Sequence, residues 1–170
     1  MLEATARTFV AAPLLLVASA FLGACESKTL PATIPVTVGG KTFNCKLAIT
    51  EAAREQGLGG VKELGPDEGM IFAFTDAAPR NFWMRRCVMG LDIAFIDPFG
   101  FVTAVHTMPQ EDLQREGETD DQYFGRLKRY PSVAPAQYAL EVAPGALAPL
   151  GVRRGVRVEF DRALLKTHTE

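Results

Sequence analysis

Histidine and cysteine are scarce in this chain, and charge of neither sign dominates it. Its 170 residues include two histidines, His106 and His168, and three cysteines, and 18 basic against 20 acidic side chains give a net charge of -2. The histidines form no zinc spacing with the cysteines, and three cysteines are too few for a disulfide-built scaffold. Near-neutral charge argues against a nucleic-acid partner. We expect no metal and no cofactor.

A long hydrophobic stretch occurs only at the N-terminus. Residues 8–24 carry no charge and end at Cys25. The stretch is shorter than the roughly 20 residues that span a bilayer, and it ends in small residues, which is typical of a cleaved export signal. Leu22-Gly23-Ala24-Cys25 resembles the bacterial lipobox. We therefore expect a signal peptide over residues 1–24, a lipid group on Cys25 and a tether over residues 25–33.

This signal predicts a periplasmic lipoprotein of the bacterial cell envelope, held to a membrane through Cys25. Glu26 follows the cysteine in place of the aspartate that resembles an inner-membrane retention signal, so outer-membrane sorting is favoured. Two alternatives remain open at this point. One is a plain secretory signal cut near Ala18-Ser19-Ala20, and the other is a retained membrane helix.

The mature chain shows the period-two alternation of β-strands. This pattern predicts strands over residues 34–38, 43–49, 70–74, 81–88, 91–95, 101–106, 138–142 and 156–160. The first two form a hairpin around Gly39-Gly40, and residues 76–79 form a turn. The sequence thus predicts a mainly β domain over residues 34–163, a compact antiparallel sandwich or barrel with a few short helices, followed by a tail over 164–170.

Two short helices are expected between these strands. Thr50 is a suitable N-cap for a helix over Glu51 to Gln56, which glycines then end. The polar stretch 109–130 is predicted to be a loop that carries one exposed helix from about Asp120 to Lys128.

Several motifs resemble the bacterial and archaeal family catalogued as domain of unknown function 192. Their order and separation carry the resemblance: Asp67-Glu68-Gly69-Met70-Ile71-Phe72, Asn81-Phe82-Trp83-Met84, Leu91-Asp92-Ile93-Ala94-Phe95-Ile96-Asp97, Tyr138-Ala139-Leu140-Glu141-Val142, and Gly145, Gly151 and Gly155. The resemblance covers roughly residues 46–160 and implies a small β-rich fold without an established activity. The chain departs from the family pattern at Arg85-Arg86-Cys87, at Gly90 and in the longer stretch 109–130.

Two acidic residues fall within strands that are otherwise apolar. Asp92 shares its face with Ala94 and Ile96, and Glu141 lies beside Ala139. A buried acid needs partners or undergoes a rise in pKa, so both are candidate site residues. With Trp83 as an apolar wall and Arg85 as a cation, they can form a ligand pocket. The alternative is structural, with both acids accepting hydrogen bonds from backbone amides in tight turns.

Histidine and cysteine supply the remaining candidates. His106 ends a predicted strand and can serve as an acid, base or ligand near neutral pH, or simply lie exposed there. If Cys25 carries lipid, Cys45 and Cys87 are the two thiols left in an oxidising compartment, which predicts a disulfide between them. Alternatively, Cys45 is a small buried core residue.

Three functions are compatible with these residues. The first is a small-ligand binding or accessory module with a pocket around Trp83, Arg85, Asp92 and Glu141. The second is a hydrolase or carbohydrate-active enzyme that uses Asp92 and Glu141 with His106. The third is a scaffold that binds a protein partner through residues 109–130.

Overall fold

The first two strands form the expected hairpin. The structure, a computed structural model, describes residues 30–170, so the predicted signal peptide and the lipidation site at Cys25 lie outside it. Strands β1 (Thr33–Val38) and β2 (Lys41–Ala48) pair antiparallel. Gly39 and Gly40 connect them with positive φ angles of 57° and 79°, which glycine adopts without steric cost.

Helix α1 (Glu51–Gln56) follows, with the predicted bounds. The Oγ of Thr50 accepts a hydrogen bond from the Ala53 amide at 3.2 Å, so the N-cap forms as expected. The later elements are β3 (Glu68–Ala78), β4 (Asn81–Phe82), β5 (Leu91–Ile96), β6 (Val102–Met108), α2 (Asp120–Arg126), β7 (Tyr130–Pro131), β8 (Ala136–Val142), β9 (Val158–Glu159) and α3 (Arg162–His168).

Seven strands form one curled sheet in the order β6-β5-β8-β3-β2-β1-β9, while β4 and β7 pair separately. The fold is therefore mainly β with three short helices in the described residues, as predicted. One pair differs from the expected antiparallel arrangement: β2 and β3 are parallel, because α1 and its loops carry the chain back to the same end of the sheet.

The two edges of the curled sheet meet at one end. The Val102 amide donates to the carbonyl of Val156 at 2.9 Å, and the Val158 amide donates to the carbonyl of Gly100 at 2.8 Å. An isolated antiparallel bridge joins Phe101 to Arg157 in the same region. These bonds connect the start of β6 and the residues before it to β9 and the residues before it, so the sheet is barrel-like there and leaves less free edge.

Both faces of the sheet are buried, which follows from strands that are apolar on both sides. One core cluster contains Cys45, Ala94 and Leu140, and the opposite cluster contains Ile93, Phe95 and Ala139. The alternation predicted for β5 and β8 is thus confirmed. Strand β3 lies so close to β8 that a Cβ on Gly69 would be 2.7 Å from the carbonyl oxygen of Glu141, which explains the glycine in that motif.

Three local predictions are wrong. Strand β3 continues to Ala78, where the sequence predicted a turn over 76–79, because Ala78 pairs with Ala136 beyond an irregularity in the ladder. Within residues 81–88 only Asn81–Phe82 is a strand. The predicted tail over 164–170 is mostly helix α3, which is capped by Asp161 and anchored by the fully buried Leu165.

None of the helices formed by residues 30–170 combines the length and the apolar character needed to cross a bilayer.

Candidate functional site

A cavity of about 400 Å³ opens on the side of the sheet that carries α1. Its walls include four aromatic side chains, Phe72, Phe74, Phe82 and Trp83. The charged residues that line it are Glu51, Arg54, Glu55, Arg80, Arg85 and Glu141. The cavity therefore combines an aromatic wall with several charged groups, and a concave surface that joins apolar walls to convergent polar groups is a usual form of small-molecule site.

Phe82 holds the aromatic wall together. The short pairing of β4 with β7 places its ring edge-to-face against Phe72 at 5.0 Å and against Phe95 at 5.3 Å between centroids. Such pairs contribute about 0.5–1.5 kcal/mol beyond the burial of their area. The wall is therefore a packed extension of the core and is present without a ligand.

The turn after β4 positions Trp83 and Arg85. Arg86 adopts a left-handed conformation with φ of 56°, which costs a non-glycine residue about 1–3 kcal/mol. Two hydrogen bonds hold it there: its amide donates to the hydroxyl of Tyr123 at 2.8 Å, and its carbonyl accepts from the Gly60 amide at 2.9 Å. The turn is thus tied to both α2 and the loop after α1.

The stretch 109–130 forms the outer support of Trp83. The Phe124 ring stacks on the indole, with 6.5 Å between centroids and 13° between planes. The guanidinium carbon of Arg129 lies 3.8 Å from the centroid of a Trp83 ring. Although 38% of Trp83 is exposed, these contacts restrict its orientation.

Glu141 is the buried acid of the cavity. Only 4% of the residue is exposed, and its side chain forms no hydrogen bond or ion pair with any residue in 30–170. It lies on the same face of the sheet as Met70 and Ile93, which oppose it on the neighbouring strands. Burial raises the pKa of the Glu141 carboxyl from 4.5 to about 8. The carboxyl is therefore mainly protonated at pH 7.

The cations of the cavity differ in their partners. Arg54 donates to the carbonyls of Ile49 and Ala73, at 2.8 and 3.0 Å. Arg80 pairs with Asp76 and lies over the Phe74 ring. The side chain of Arg85, in contrast, lies over the Phe124 ring at 4.9 Å and forms no hydrogen bond or ion pair within the described chain. Its buried Nε has no acceptor.

Asp92 is as buried as predicted but belongs to the other face of the sheet. It opposes Val142 on β8, one residue beyond Glu141, so the two side chains point in opposite directions. Its carboxyl oxygens accept hydrogen bonds from the Thr107 hydroxyl at 2.9 Å and the Leu147 amide at 3.0 Å. The expectation that Asp92 and Glu141 share one pocket is wrong. The hydrogen bonds of Asp92 instead fit the alternative in which this acid has a structural role.

Similarity to known proteins agrees with this architecture. The DUF192 family, described as "Uncharacterized ACR", matches residues 34–160. The chain belongs to the DUF192 family.

Two solved structures resemble this chain. One is a candidate transcription regulator from Sinorhizobium meliloti 1021, which is 28% identical to this chain and matches its fold with a TM-score of 0.63. The match covers 77% of this chain and 95% of the regulator's chain. The other is a protein of unknown function from Novosphingobium aromaticivorans DSM 12444, which is 32% identical to this chain and matches its fold with a TM-score of 0.64. The match covers 75% of this chain and 84% of that protein's chain. Among curated proteins, none matches the chain at a significant level.

His106 lies outside the cavity of this DUF192 domain. Its Nε2 is 2.7 Å from the carbonyl oxygen of Pro131, and its ring packs edge-on against Phe95 and Tyr130. The histidine therefore links β6 to the segment containing β7. Across residues 30–170, no group of three or more His, Cys, Asp or Glu side chains is arranged to hold a metal ion.

The predicted disulfide is also wrong. Cys45 and Cys87 are both free and belong to core clusters on opposite sides of the sheet. Burial raises the pKa of each thiol to about 12, and the charge of Glu141 contributes to the rise at Cys87. The alternative of a buried core residue is correct for Cys45, whereas Cys87 lines the cavity as a neutral thiol.

The sequence indicated three of the residues that the fold brings together around the cavity, namely Trp83, Arg85 and Glu141. It did not indicate that α1 and Arg80 line the cavity, or that α2 supports Trp83. The adjacent aromatic residues Tyr123 and Phe124, in an otherwise polar stretch, were the available signal that this stretch packs against the domain.

Proposed function

We propose that this protein is a lipid-anchored protein of the bacterial envelope that binds a small molecule in the Glu141 cavity. The observation that carries the binding role is Glu141, a residue that is only 4% exposed, lines the cavity and has no side-chain hydrogen bond or ion pair in residues 30–170. Burying a polar group without a hydrogen bond costs about 1–3 kcal/mol in proteins. A group retained at that cost beside a cavity is explained by a ligand that completes its hydrogen bonds.

The geometry favours binding over the hydrolase alternative. That alternative required Asp92 and Glu141 to act together with His106, but these residues occupy different places in the fold. Glycoside hydrolysis needs two carboxyl groups on either side of one bond. No histidine lines the cavity, and its other acids, Glu51 and Glu55, are exposed on α1, so the trio that this alternative required is not assembled there.

The alternative that residues 109–130 bind a protein partner is less favoured, because polar groups of this stretch form hydrogen bonds with one another. Arg126 donates to the carboxylate of Glu118 at 2.6 Å and to the carbonyls of Asp112 and Leu113. The guanidinium of Arg126 holds the pKa of Glu118 down to about 2. Because this network and the contacts to Trp83 are internal, the segment is explained as support for the cavity.

A ligand screen tests the binding role. Thermal shift and fluorescence of Trp83, the sole tryptophan, are measured against envelope metabolites, glycan fragments and divalent metals. A ligand at about 100 times its Kd is expected to raise the melting temperature by roughly 8 °C and to change the fluorescence. Glu141→Leu is expected to keep the fold and lose most of this shift, because it removes only the polar group.

Glu159→Leu is the matched control, since Glu159 is exposed on β9 and lies away from the cavity lining. It should keep the full ligand-induced shift. If no compound in the screen changes either signal, or if hits shift Glu141→Leu and the unmodified protein equally, the cavity is not the binding site that we propose.

The lipid anchor is supported by the uncharged stretch 8–24 and by the lipobox-like residues that end at Cys25. Cys25→Ser is expected to remove the protein from the detergent phase in a phase-partition assay and to leave an unprocessed precursor. Cys45→Ser serves as the control and should stay anchored. A Cys25→Ser protein that stays in membranes after alkaline washing would indicate a retained helix, and one processed and released normally would indicate a plain secretory signal.

A further inference from the structure

One cation of the cavity, Arg85, has an aromatic partner but no anionic one: its guanidinium carbon lies 4.9 Å from the centroid of the Phe124 ring. Arg54 and Arg80 are occupied by main-chain carbonyls and, for Arg80, by Asp76. Arg85 has neither an acceptor nor an ion-pair partner in residues 30–170, although its Nε is buried. A guanidinium carries five N–H donors and binds carboxylates through two parallel hydrogen bonds.

The acids of the cavity do not neutralise Arg85. Glu51 and Glu55 are exposed on α1, where water and salt screen their charges. Glu141 is buried, and its carboxyl is mainly protonated at neutral pH because burial penalises the charged form. A protonated carboxyl donates a hydrogen bond, which an anionic or carbonyl oxygen accepts.

We propose that the cavity selects small organic anions with a flat apolar body, with Arg85 binding the negative group and the Glu141 carboxyl donating a hydrogen bond. The aromatic walls, including Phe82 and Trp83, contact the apolar body. This inference rests on the proposed binding function and adds the chemical class of the ligand. An anion fits because it supplies the acceptor that Arg85 lacks without placing two negative charges in a buried site.

The protonation state of the Glu141 carboxyl makes the binding of anions depend on pH. The other charged or titratable groups that line the cavity are Glu51, Arg54, Glu55, Arg80, Arg85 and Cys87. Cys87 stays a neutral thiol, because its pKa is raised to about 12. As pH rises through about 8, Glu141 loses its proton, becomes negative and repels an anion. Anion binding should therefore weaken above that pH.

Three probes of nearly the same shape test the charge of the ligand. Benzoate, benzamide and benzamidine are negative, neutral and positive, and each is titrated against the full-length protein with Trp83 fluorescence and thermal shift as readouts. At about pH 7, benzoate is expected to bind at least about tenfold more tightly than benzamide, with benzamidine the weakest. Raising the pH to about 9 should weaken benzoate binding several-fold.

Two variants assign the effect to the proposed residues. Arg85→Met should lower benzoate affinity by about tenfold and leave benzamide affinity within about threefold. Arg153→Met is its control, because Arg153 is exposed and outside the cavity lining. Glu141→Gln keeps a hydrogen-bond donor that does not ionise, so it should retain benzoate binding and remove its decline at high pH.

The outcomes separate this inference from the proposed function. If benzamide binds as tightly as benzoate, or benzamidine binds most tightly, the anion preference is wrong and the small-molecule role of the cavity is retained. If none of the three probes binds, the inference is overturned as well. The binding role itself then depends on the broader ligand screen, which contains other chemical classes.

Discussion

Glu141→Gln is expected to exceed the unmodified protein in stability by up to about 5 kcal/mol above pH 8. The pKa of this carboxyl is about 8 in the folded protein, against an ordinary value of 4.5. Between these values the unfolded chain has already released the proton while the folded protein still holds it. Stability therefore falls as pH rises, by up to about 1.4 kcal/mol per pH unit, and levels off above the folded pKa.

Urea denaturation of both proteins between about pH 4 and pH 9 measures this difference. Below the unfolded pKa the two should agree within about 1 kcal/mol, because glutamine is close in shape to a protonated glutamate. Other ionisable groups titrate in both proteins and cancel in the comparison. A stability difference that stays constant with pH would show that the Glu141 carboxyl is hydrated in the folded protein.

Asp92→Leu is expected to lower the free energy of unfolding by about 3 kcal/mol while leaving ligand binding unchanged. The two carboxyl oxygens of Asp92 accept from Thr107 and from the Leu147 amide, and only 1% of the residue is exposed. Leucine has no acceptor, so the Leu147 amide is left without its hydrogen bond and the Thr107 hydroxyl loses its acceptor.

Thr107→Val is the matched control, because it removes one donor without creating a buried, unpartnered amide. It should cost only about 1 kcal/mol. Chemical denaturation gives these free energies, and the ligand-induced change in Trp83 fluorescence gives the binding readout. A stable Asp92→Leu protein that has lost ligand binding would place Asp92 in the site and contradict its position on the opposite face.

The two acids illustrate opposite consequences of burial. Asp92 has hydrogen-bond donors built around it, so the fold gains from its carboxyl. Glu141 has none in residues 30–170 and lowers stability at neutral pH. Proteins commonly retain such locally unfavourable groups at functional sites. The contrast explains why the proposed function rests on Glu141 alone.

Local features of the sequence were sufficient for much of the fold. The hairpin of β1 and β2 follows from alternation around two glycines, and α1 has its predicted bounds because the Thr50 cap acts within one turn. The face assignments within β5 and β8 were also correct, because a strand alternates regardless of its neighbours. In each case the determining interactions span only a few residues of chain.

The predictions from sequence failed where contacts between residues far apart in the chain determine the local structure. Helix α3 forms in a segment predicted as a tail because Leu165 is buried in the core. The stretch 109–130 packs against the domain through Tyr123 and Phe124, which contact the turn after β4. The two adjacent aromatic residues indicate that the segment packs against the domain, but the sequence does not show which part of the domain they contact.

The sequence by itself determined that Asp92 and Glu141 are buried, because each lies in a strand with apolar residues on both faces. It did not determine whether they lie together. The pairing of β5 with β8 sets Asp92 opposite Val142 and Ile93 opposite Glu141, and this register sends the two acids to different faces. Register depends on hydrogen bonds between strands more than 40 residues apart in the chain, whereas alternation is a property of each strand alone.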